Sequence, residues 1–151
     1  MPVILEAEPH VLRAANPRHI LLNAPVRVEE GQFFLAELDP LPSCDLCRLF
    51  EGADQAVAVA ITLGADMDSC IRRQLLVNPG LGAAIGALAS AYVDDLLDQL
   101  MAEEEKRWQE EGLSLSPRFS PGYGDFPIEE QGGLLSLLDA QKKNRTYLIR
   151  L

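Results

Sequence analysis

The sequence has few histidines and cysteines, and fewer basic than acidic residues. It contains 2 histidines, 3 cysteines, and 13 basic against 23 acidic residues, for a net charge of −10. Such an acidic chain argues against a nucleic-acid partner, which needs a basic face. Three cysteines without an N-terminal secretion signal indicate a reducing compartment, and we therefore expect a cytoplasmic protein without a disulfide framework.

Long hydrophobic runs are also absent. No uninterrupted apolar run reaches the roughly 18 residues that a membrane span needs, so we expect no membrane partner. A chain of 151 residues with 48% apolar and 24% charged residues has an ordinary globular composition. Its length corresponds to about one domain, and we expect residues 1–151 to form a single one.

Two sequence patterns predict β-strands. Val26 and Val28 alternate with charged residues and precede a turn at Glu30, which predicts a hairpin over residues 24–38. The almost wholly apolar run 56–63 predicts a strand that is covered on both faces. Residues 147–149 are a further short strand candidate.

Capping residues and apolar spacing predict the helices. Ser43 can cap a short helix that reaches about Glu51, and Asn78 followed by Pro79 begins the longest helix, which stops near Gly112. We also expect a short helix around Val11 and Leu12, a helix start at Asp66 and Asp68, and a final helix over 127–143. Within the longest helix, Gly82 and Gly86 should allow close packing against a sheet. Near its end, Glu103 and Arg107 should form an ion pair. The fold class is therefore α+β, a mostly antiparallel sheet flanked by helices with one long central helix.

The segment from Arg118 to Pro127 concentrates groups that suit a small zwitterion with an aromatic base. A guanidinium gives a two-pronged grip on a carboxylate. Gly122 and Gly124 allow a ligand to approach the backbone closely, and Tyr123 can stack on a base or face a cation such as a sulfonium. From spacing alone, a plain structural turn in which Arg118 pairs with a surface acid is the better-supported alternative.

The residues Arg118-Phe119-Ser120-Pro121-Gly122-Tyr123 resemble the Arg-x-x-Pro-Gly-Tyr signature of the activation domain of cobalamin-dependent methionine synthase. The continuation 124–131 is similar to the small stand-alone relatives of that domain. The segments 62–64 and 84–95 resemble the same family, so the likeness runs from about residue 26 to residue 143.

The resemblance implies a module that binds S-adenosylmethionine in a shallow groove. Arg118 would hold the methionine carboxylate, and the backbone around Ser120, Gly122 and Tyr123 would meet the adenine. The ring of Tyr123 would line the site. An acid on the long helix helps to hold the ligand in this family, and Asp94 is the candidate here.

The chemistry that the resemblance implies is reductive methylation of cob(II)alamin, a form of vitamin B12, on a partner methionine synthase or other corrinoid protein. A reductase would supply the electron. The chain would then be a component of this methyltransferase of methionine biosynthesis rather than a complete enzyme. It would need no catalytic residue and no metal of its own, and its two histidines, His10 and His19, suggest no nucleophile–base pair.

The chain departs from the family pattern at its ends. Family members continue into further strands after the last helix, and the N-terminal region looks short, so we expect a domain truncated at both ends. Missing strands would leave an open sheet edge that favours pairing with a second chain, and hence a homo-oligomer. The alternative function is a non-catalytic interaction or structural domain whose ligand groove is degenerate.

Cys44 and Cys47 have CxxC spacing, which supports a third and weaker hypothesis. They could form a redox pair, or a zinc site if Cys70 and a histidine completed it. The plainer interpretation is two cysteines on a short helix, one of them in the core.

Overall fold

The computed structural model describes residues 2–138 and 148–150, which form an α+β fold. The described strands make one sheet in the order β2-β1-β3-β4, with β1 and β2 antiparallel. The predicted class, an antiparallel sheet flanked by helices with one long helix, is confirmed. In chain order the elements are α1 (Pro2–Ala14), β1 (Arg18–Glu29), β2 (Gln32–Leu35), α2 (Cys44–Leu49), β3 (Gln55–Thr62), α3 (Ala65–Val77), α4 (Pro79–Glu110), a 3₁₀ turn (Ile128–Glu130), α5 (Gln131–Leu137) and β4 (Leu148–Arg150).

The chain divides into two compact units. The first unit contains residues 1–18 and 61–114, and so holds α1, α3 and α4. The second contains residues 19–60 and 115–151, and so holds most of the sheet, α2, α5 and the Arg118 loop.

The predicted hairpin is confirmed in the second unit. Val26 lies opposite Leu35 and Val28 opposite Phe33. The turn residue Glu30 has a φ of 52° and is followed by a glycine at 77°, the pair of positive φ angles that a two-residue hairpin turn with the correct twist requires. The inward side chains of the hairpin, together with Leu46 and Phe50, form the core of this unit.

The apolar strand prediction is also confirmed. β3 has three consecutive residues, Ala58, Val59 and Ala60, that are completely buried. Successive side chains of a strand point to opposite faces. Both faces of β3 are therefore covered, which explains why its sequence lacks polar alternation.

Helix α4 begins and ends where its capping residues predict. Asn78 Oδ1 accepts a hydrogen bond from the Leu81 N–H at 3.2 Å, and Pro79 is the first helical residue. The helix ends at Glu110, before Gly112. Its buried positions form one stripe at helical spacing: Gly82, Ile85, Ala89, Val93, Leu97, Leu100, Glu104 and Trp108.

Gly82 of α4 lies very close to the backbone of α3. A Cβ at this position would lie 2.5 Å from Leu75 N and 2.7 Å from Leu75 Cα. We expected the small residues of α4 to lie against a sheet, but the close neighbour of Gly82 is another helix. The glycine is required because the obstacle is backbone, which cannot move aside as a side chain can.

The C-terminal end of α4 differs from its prediction. Arg107 pairs with Glu104 at 3.4 Å, an i,i+3 contact, and not with Glu103. Its guanidinium also lies 5.4 Å from the centroid of the Trp108 ring. Because Glu104 and Trp108 are both buried, this end of the helix packs inward on one side.

The terminal segments also differ from the expectations. The N-terminal helix is longer than predicted and spans Pro2–Ala14 with Pro9 inside it. The predicted final helix begins as a 3₁₀ turn and continues as α5, while its expected residues 139–143 lie outside the described residues. Tyr147 of the predicted last strand also lies outside them, and β4 covers Leu148–Arg150.

In the described part of the chain, α4 is the one helix that is long and apolar enough to cross a membrane by length and composition. The prediction considered uninterrupted apolar runs, whereas a spanning helix can also carry a few charged residues. The most apolar part of α4 is 28% buried, and the helix packs against α1 and α3.

A pair of glycine substitutions tests the contact between α3 and α4. Gly82→Ala should lower the unfolding free energy by roughly 1–3 kcal/mol, because the new methyl group overlaps the Leu75 backbone. Gly86→Ala is the matched control, since its nearest neighbour would be Ile71 Cγ2 at 3.9 Å. It should be neutral or raise stability by up to about 1 kcal/mol through helix propensity. Urea unfolding measures both, and equal effects would contradict this packing.

Candidate functional site

The Arg118 loop is closed by its own backbone hydrogen bonds. The Gly122 N–H donates to Phe126 O at 2.8 Å, the Tyr123 N–H to Ser120 O at 3.0 Å, and the Phe126 N–H to Tyr123 O at 2.9 Å. Ser120 and Phe126 are 4% and 1% exposed. The loop is therefore a compact turn with buried ends.

Asp125 fixes this loop to the beginning of α2. Its carboxylate accepts hydrogen bonds from Ser43 Oγ, from the Cys44 N–H at 2.7 Å and from the Asp45 N–H at 3.2 Å. In return, the Asp125 N–H donates to Asp45 Oδ2 at 3.2 Å. Ser43 Oγ also accepts from the Leu46 N–H at 3.0 Å, which confirms Ser43 as the N-cap. We call this set of contacts the Asp125 clamp.

The clamp changes the acidity of its central carboxyl group. The hydrogen bond from Ser43 lowers the pKa of Asp125 most; burial opposes it, and the backbone N–H groups of Asp45 and Cys44 add smaller effects that lower the pKa further. The group is thus an anion at neutral pH, which strengthens each of its hydrogen bonds.

The packing of the protein itself requires a glycine at position 124. Its φ is 52°, and a Cβ there would overlap the Asp45 carboxylate and come within 3.0 Å of the Phe119 ring. Phe119 in turn stacks on Phe126, with ring centroids 6.2 Å apart and planes inclined by 11°. The side of the loop on which a Cβ would project is therefore filled by the protein, while Gly124 remains exposed on the other side.

Tyr123 is the side chain that this turn presents to solvent. The residue is 55% exposed, and its neighbour Gly122 has a φ of 91° and is also exposed. The N–H groups of both residues are used inside the turn. Any contact with a purine edge at these two residues would therefore be made by carbonyl oxygens, which have a second lone pair to accept from an amine.

The structure places the predicted ligand residues in both units. Arg118, Ser120, Gly122 and Tyr123 lie on one loop of the second unit, whereas Asp94 lies on α4 in the first. Arg118 is half-buried, its Nη1 atom is inaccessible to solvent, and the residue interacts with other groups of the protein. Asp94 is also half-buried and interacts elsewhere.

The CxxC pair does not have the properties of an activated thiol site. Cys44 is exposed, and Cys47 is half-buried with its thiol donating to Gly31 O at 3.3 Å. Burial raises the pKa of Cys47, and the charges of Cys44 and Asp125 raise it further. The described residues include no cluster of three or more His, Cys, Asp or Glu side chains that could hold a metal ion. Cys70 and His10 belong to the first unit.

The residue whose role the sequence did not reveal is Asp125. The sequence places Asp125 in the loop but does not indicate its partners, which lie 80 to 82 positions earlier in the chain. One local indication exists, since a helix start at Cys44 leaves backbone N–H groups that need an acceptor.

Acid sensitivity tests the Asp125 clamp. The pKa of this carboxyl is lower in the folded chain, so its stabilising contribution is present at neutral pH and is lost as pH falls through the folded value, below the ordinary value of about 3.9. Asp125→Asn should therefore be less stable than the unaltered chain at neutral pH, and the difference should shrink in strong acid. Urea unfolding at two pH values measures it.

Ser43→Ala provides the partner measurement for the clamp. It removes the N-cap and should cost about 1 kcal/mol. In the double variant the two losses should not add, because both residues belong to one hydrogen-bonded network. Additive losses, or a pH-independent effect of Asp125→Asn, would contradict the clamp.

Thiol alkylation tests the arrangement of the cysteines. The rate at mildly alkaline pH should fall in the order Cys44, Cys47, Cys70, since the first is exposed, the second has a raised pKa and the third is buried. Asp125→Asn should speed alkylation of Cys47 by removing a nearby negative charge. Peptide mass spectrometry over time resolves the three sites, and a faster Cys47 than Cys44 in the unaltered chain would contradict this order.

No protein-family model matches the chain, and no curated protein is similar enough to match it. Membership of the methionine synthase activation family therefore stays a prediction from the Arg118–Tyr123 signature and its flanking segments.

Proposed function

We propose that this chain is an S-adenosylmethionine-binding activation module that supports reductive methylation of cob(II)alamin on a partner corrinoid protein. The observation that supports it most is the exposed Tyr123 ring, which lies five positions after Arg118 on a turn that is held in one shape. The loop alone is the basis of this proposal. The protein would act in the cytoplasm. A reductase would supply the electron for the reaction.

The rigidity of the loop favours binding. Its internal hydrogen bonds and the Asp125 clamp fix the backbone before any ligand arrives. A ligand that meets a preformed turn does not pay the cost of ordering it. The weak contacts that a shallow surface site can offer would then suffice for specific binding.

The roles of the loop side chains follow from their chemistry. Tyr123 offers an exposed aromatic face to the sulfonium or to the adenine. Arg118 would hold the carboxylate. Since its Nη1 atom is buried, a two-pronged grip requires the guanidinium to turn outward on binding. The carbonyl oxygen of Gly122, an exposed residue, would accept from the adenine amine.

The chain itself supplies binding and orientation. Bound S-adenosylmethionine would supply a methyl group to the cobalamin of the partner protein. This division of roles requires no acid, base or thiol in the loop. The raised pKa of Cys47 is compatible with it, because a thiol that stays protonated does not compete as a methyl acceptor.

A second candidate is a non-catalytic interaction domain. Two observations favour it. The packing of Asp45 and Phe119 around Gly124 explains that glycine without a ligand. The first unit also exposes large apolar side chains on α1 and α3, the most exposed being Leu76, Val77, Leu5 and Leu12, and exposed apolar groups are typical of contact surfaces when they are contiguous.

Calorimetric titration with S-adenosylmethionine tests the proposed function. We expect saturable binding, which Arg118→Ala should weaken ten- to a hundredfold, since a hydrogen-bonded ion pair contributes roughly 1.5–3 kcal/mol. Arg27→Ala is a matched control in the same unit, because Arg27 is exposed and lies over Phe34 on the hairpin. Absence of heat up to millimolar ligand would favour the interaction domain, and equal effects of both variants would place the site elsewhere.

The role of the Tyr123 ring needs its own comparison. Tyr123→Phe keeps the aromatic face and should bind almost normally, whereas Tyr123→Ala should bind several-fold more weakly. S-adenosylhomocysteine lacks the sulfonium charge. If the ring faces that charge, Tyr123→Ala should weaken S-adenosylmethionine more than S-adenosylhomocysteine, and an equal loss would assign the ring to the adenine instead.

A further inference from the structure

The first unit contains a cavity of about 310 Å³. Its walls come from α1 and α3, and it is separate from the Arg118 loop, which belongs to the second unit. The sequence alone does not indicate that its lining residues lie together. They are His10, Arg13 and Ala14 on α1, and Asp66, Ser69, Cys70 and Arg73 on α3.

Each helix contributes one face to this cavity. The α1 residues are spaced i, i+3, i+4, and the α3 residues i, i+3, i+4, i+7. These spacings place side chains on the same side of a helix. The floor includes Cys70, which is 5% exposed, while the two arginines are exposed at the surface.

The charges around the cavity favour an anion. Arg13 and Arg73 both line it, and among the described residues neither forms an ion pair. Two guanidinium groups that share a cavity repel each other, and a bound anion would remove that repulsion.

The neighbouring polar groups add donors and one acceptor. His10 and Ser69 can donate hydrogen bonds to an oxyanion. Asp66 is the exception, because its carboxylate repels anions. It lies two helical turns, about 10 Å, from Arg73 along α3. An anionic group is therefore expected at the Arg73 end, with hydroxyl groups of the same ligand near Asp66.

The volume indicates more than a single ion. One water occupies about 30 Å³ of liquid, and small-molecule sites begin near 300 Å³. Arginine suits phosphate through its planar fork of donors. We propose that this cavity binds a small phosphorylated organic molecule, with its phosphate held between Arg13 and Arg73 and its hydroxyl-bearing part toward Asp66.

Calorimetry on the full chain tests this site, with inorganic phosphate and glycerol 3-phosphate as probes in a phosphate-free buffer. We expect glycerol 3-phosphate to bind at least as tightly as phosphate. Arg73→Ala should weaken it tenfold or more, since each charge-assisted pair of hydrogen bonds is worth more than a neutral one. Arg72→Ala is the matched control, because its neighbour position on α3 does not line the cavity. No binding of either probe at millimolar concentration, or equal weakening by both variants, overturns the proposal.

Cys70 gives a second measurement that needs no arginine variant. In a Cys44→Ser, Cys47→Ser background, glycerol 3-phosphate should slow alkylation of Cys70 several-fold, and sodium chloride at the same ionic strength should not. Equal rates with both solutes overturn the proposal. Neither experiment involves S-adenosylmethionine, so its outcome is independent of the function proposed for the Arg118 loop.

Discussion

The candidate loop depends on one carboxylate. Asp125 joins a turn in the last third of the chain to the first turn of a helix that lies 80 residues earlier, and it satisfies N–H groups that the short α2 would otherwise leave without acceptors. Because the bonds run in both directions between Asp45 and Asp125, the loop cannot shift without breaking several of them together. The exposure of Tyr123 is a consequence of this anchoring.

The same anchoring is compatible with both candidate functions, the ligand-binding module and the interaction domain. The same glycines would be needed whether the fixed shape of the turn serves ligand binding or only the stability of the fold. At Gly124 the packing of Asp45 and Phe119 is sufficient to require the residue. Packing does not explain the exposed ring of Tyr123, which lies on the same loop as the half-buried Arg118, and a ligand would account for it.

Elements whose determinants are local were predictable from the sequence. The hairpin turn at Glu30, the cap at Ser43 and the start of α4 at Asn78 each depend on residues a few positions apart. The contacts that were missed join distant segments or depend on which side of a helix is buried. Arg107 pairs with Glu104 because the Glu104 side chain lies on the buried side of α4. The close neighbour of Gly82 is determined by the packing of α3 against α4. The cavity between α1 and α3 was missed for the same reason, since its residues become a set only when the helices meet.

The two candidate sites place opposite demands on an acidic protein. S-adenosylmethionine carries a net positive charge, so the field of a chain with charge −10 would attract it, and in the proposed site Arg118 would only have to orient its carboxylate. A phosphorylated molecule is repelled by the same field. Long-range fields decay over about 8–10 Å in physiological salt, whereas Arg13 and Arg73 line one cavity and would contact an anion bound there directly. An anion site in this protein therefore needs arginines that line the same cavity, and α1 and α3 contribute one each.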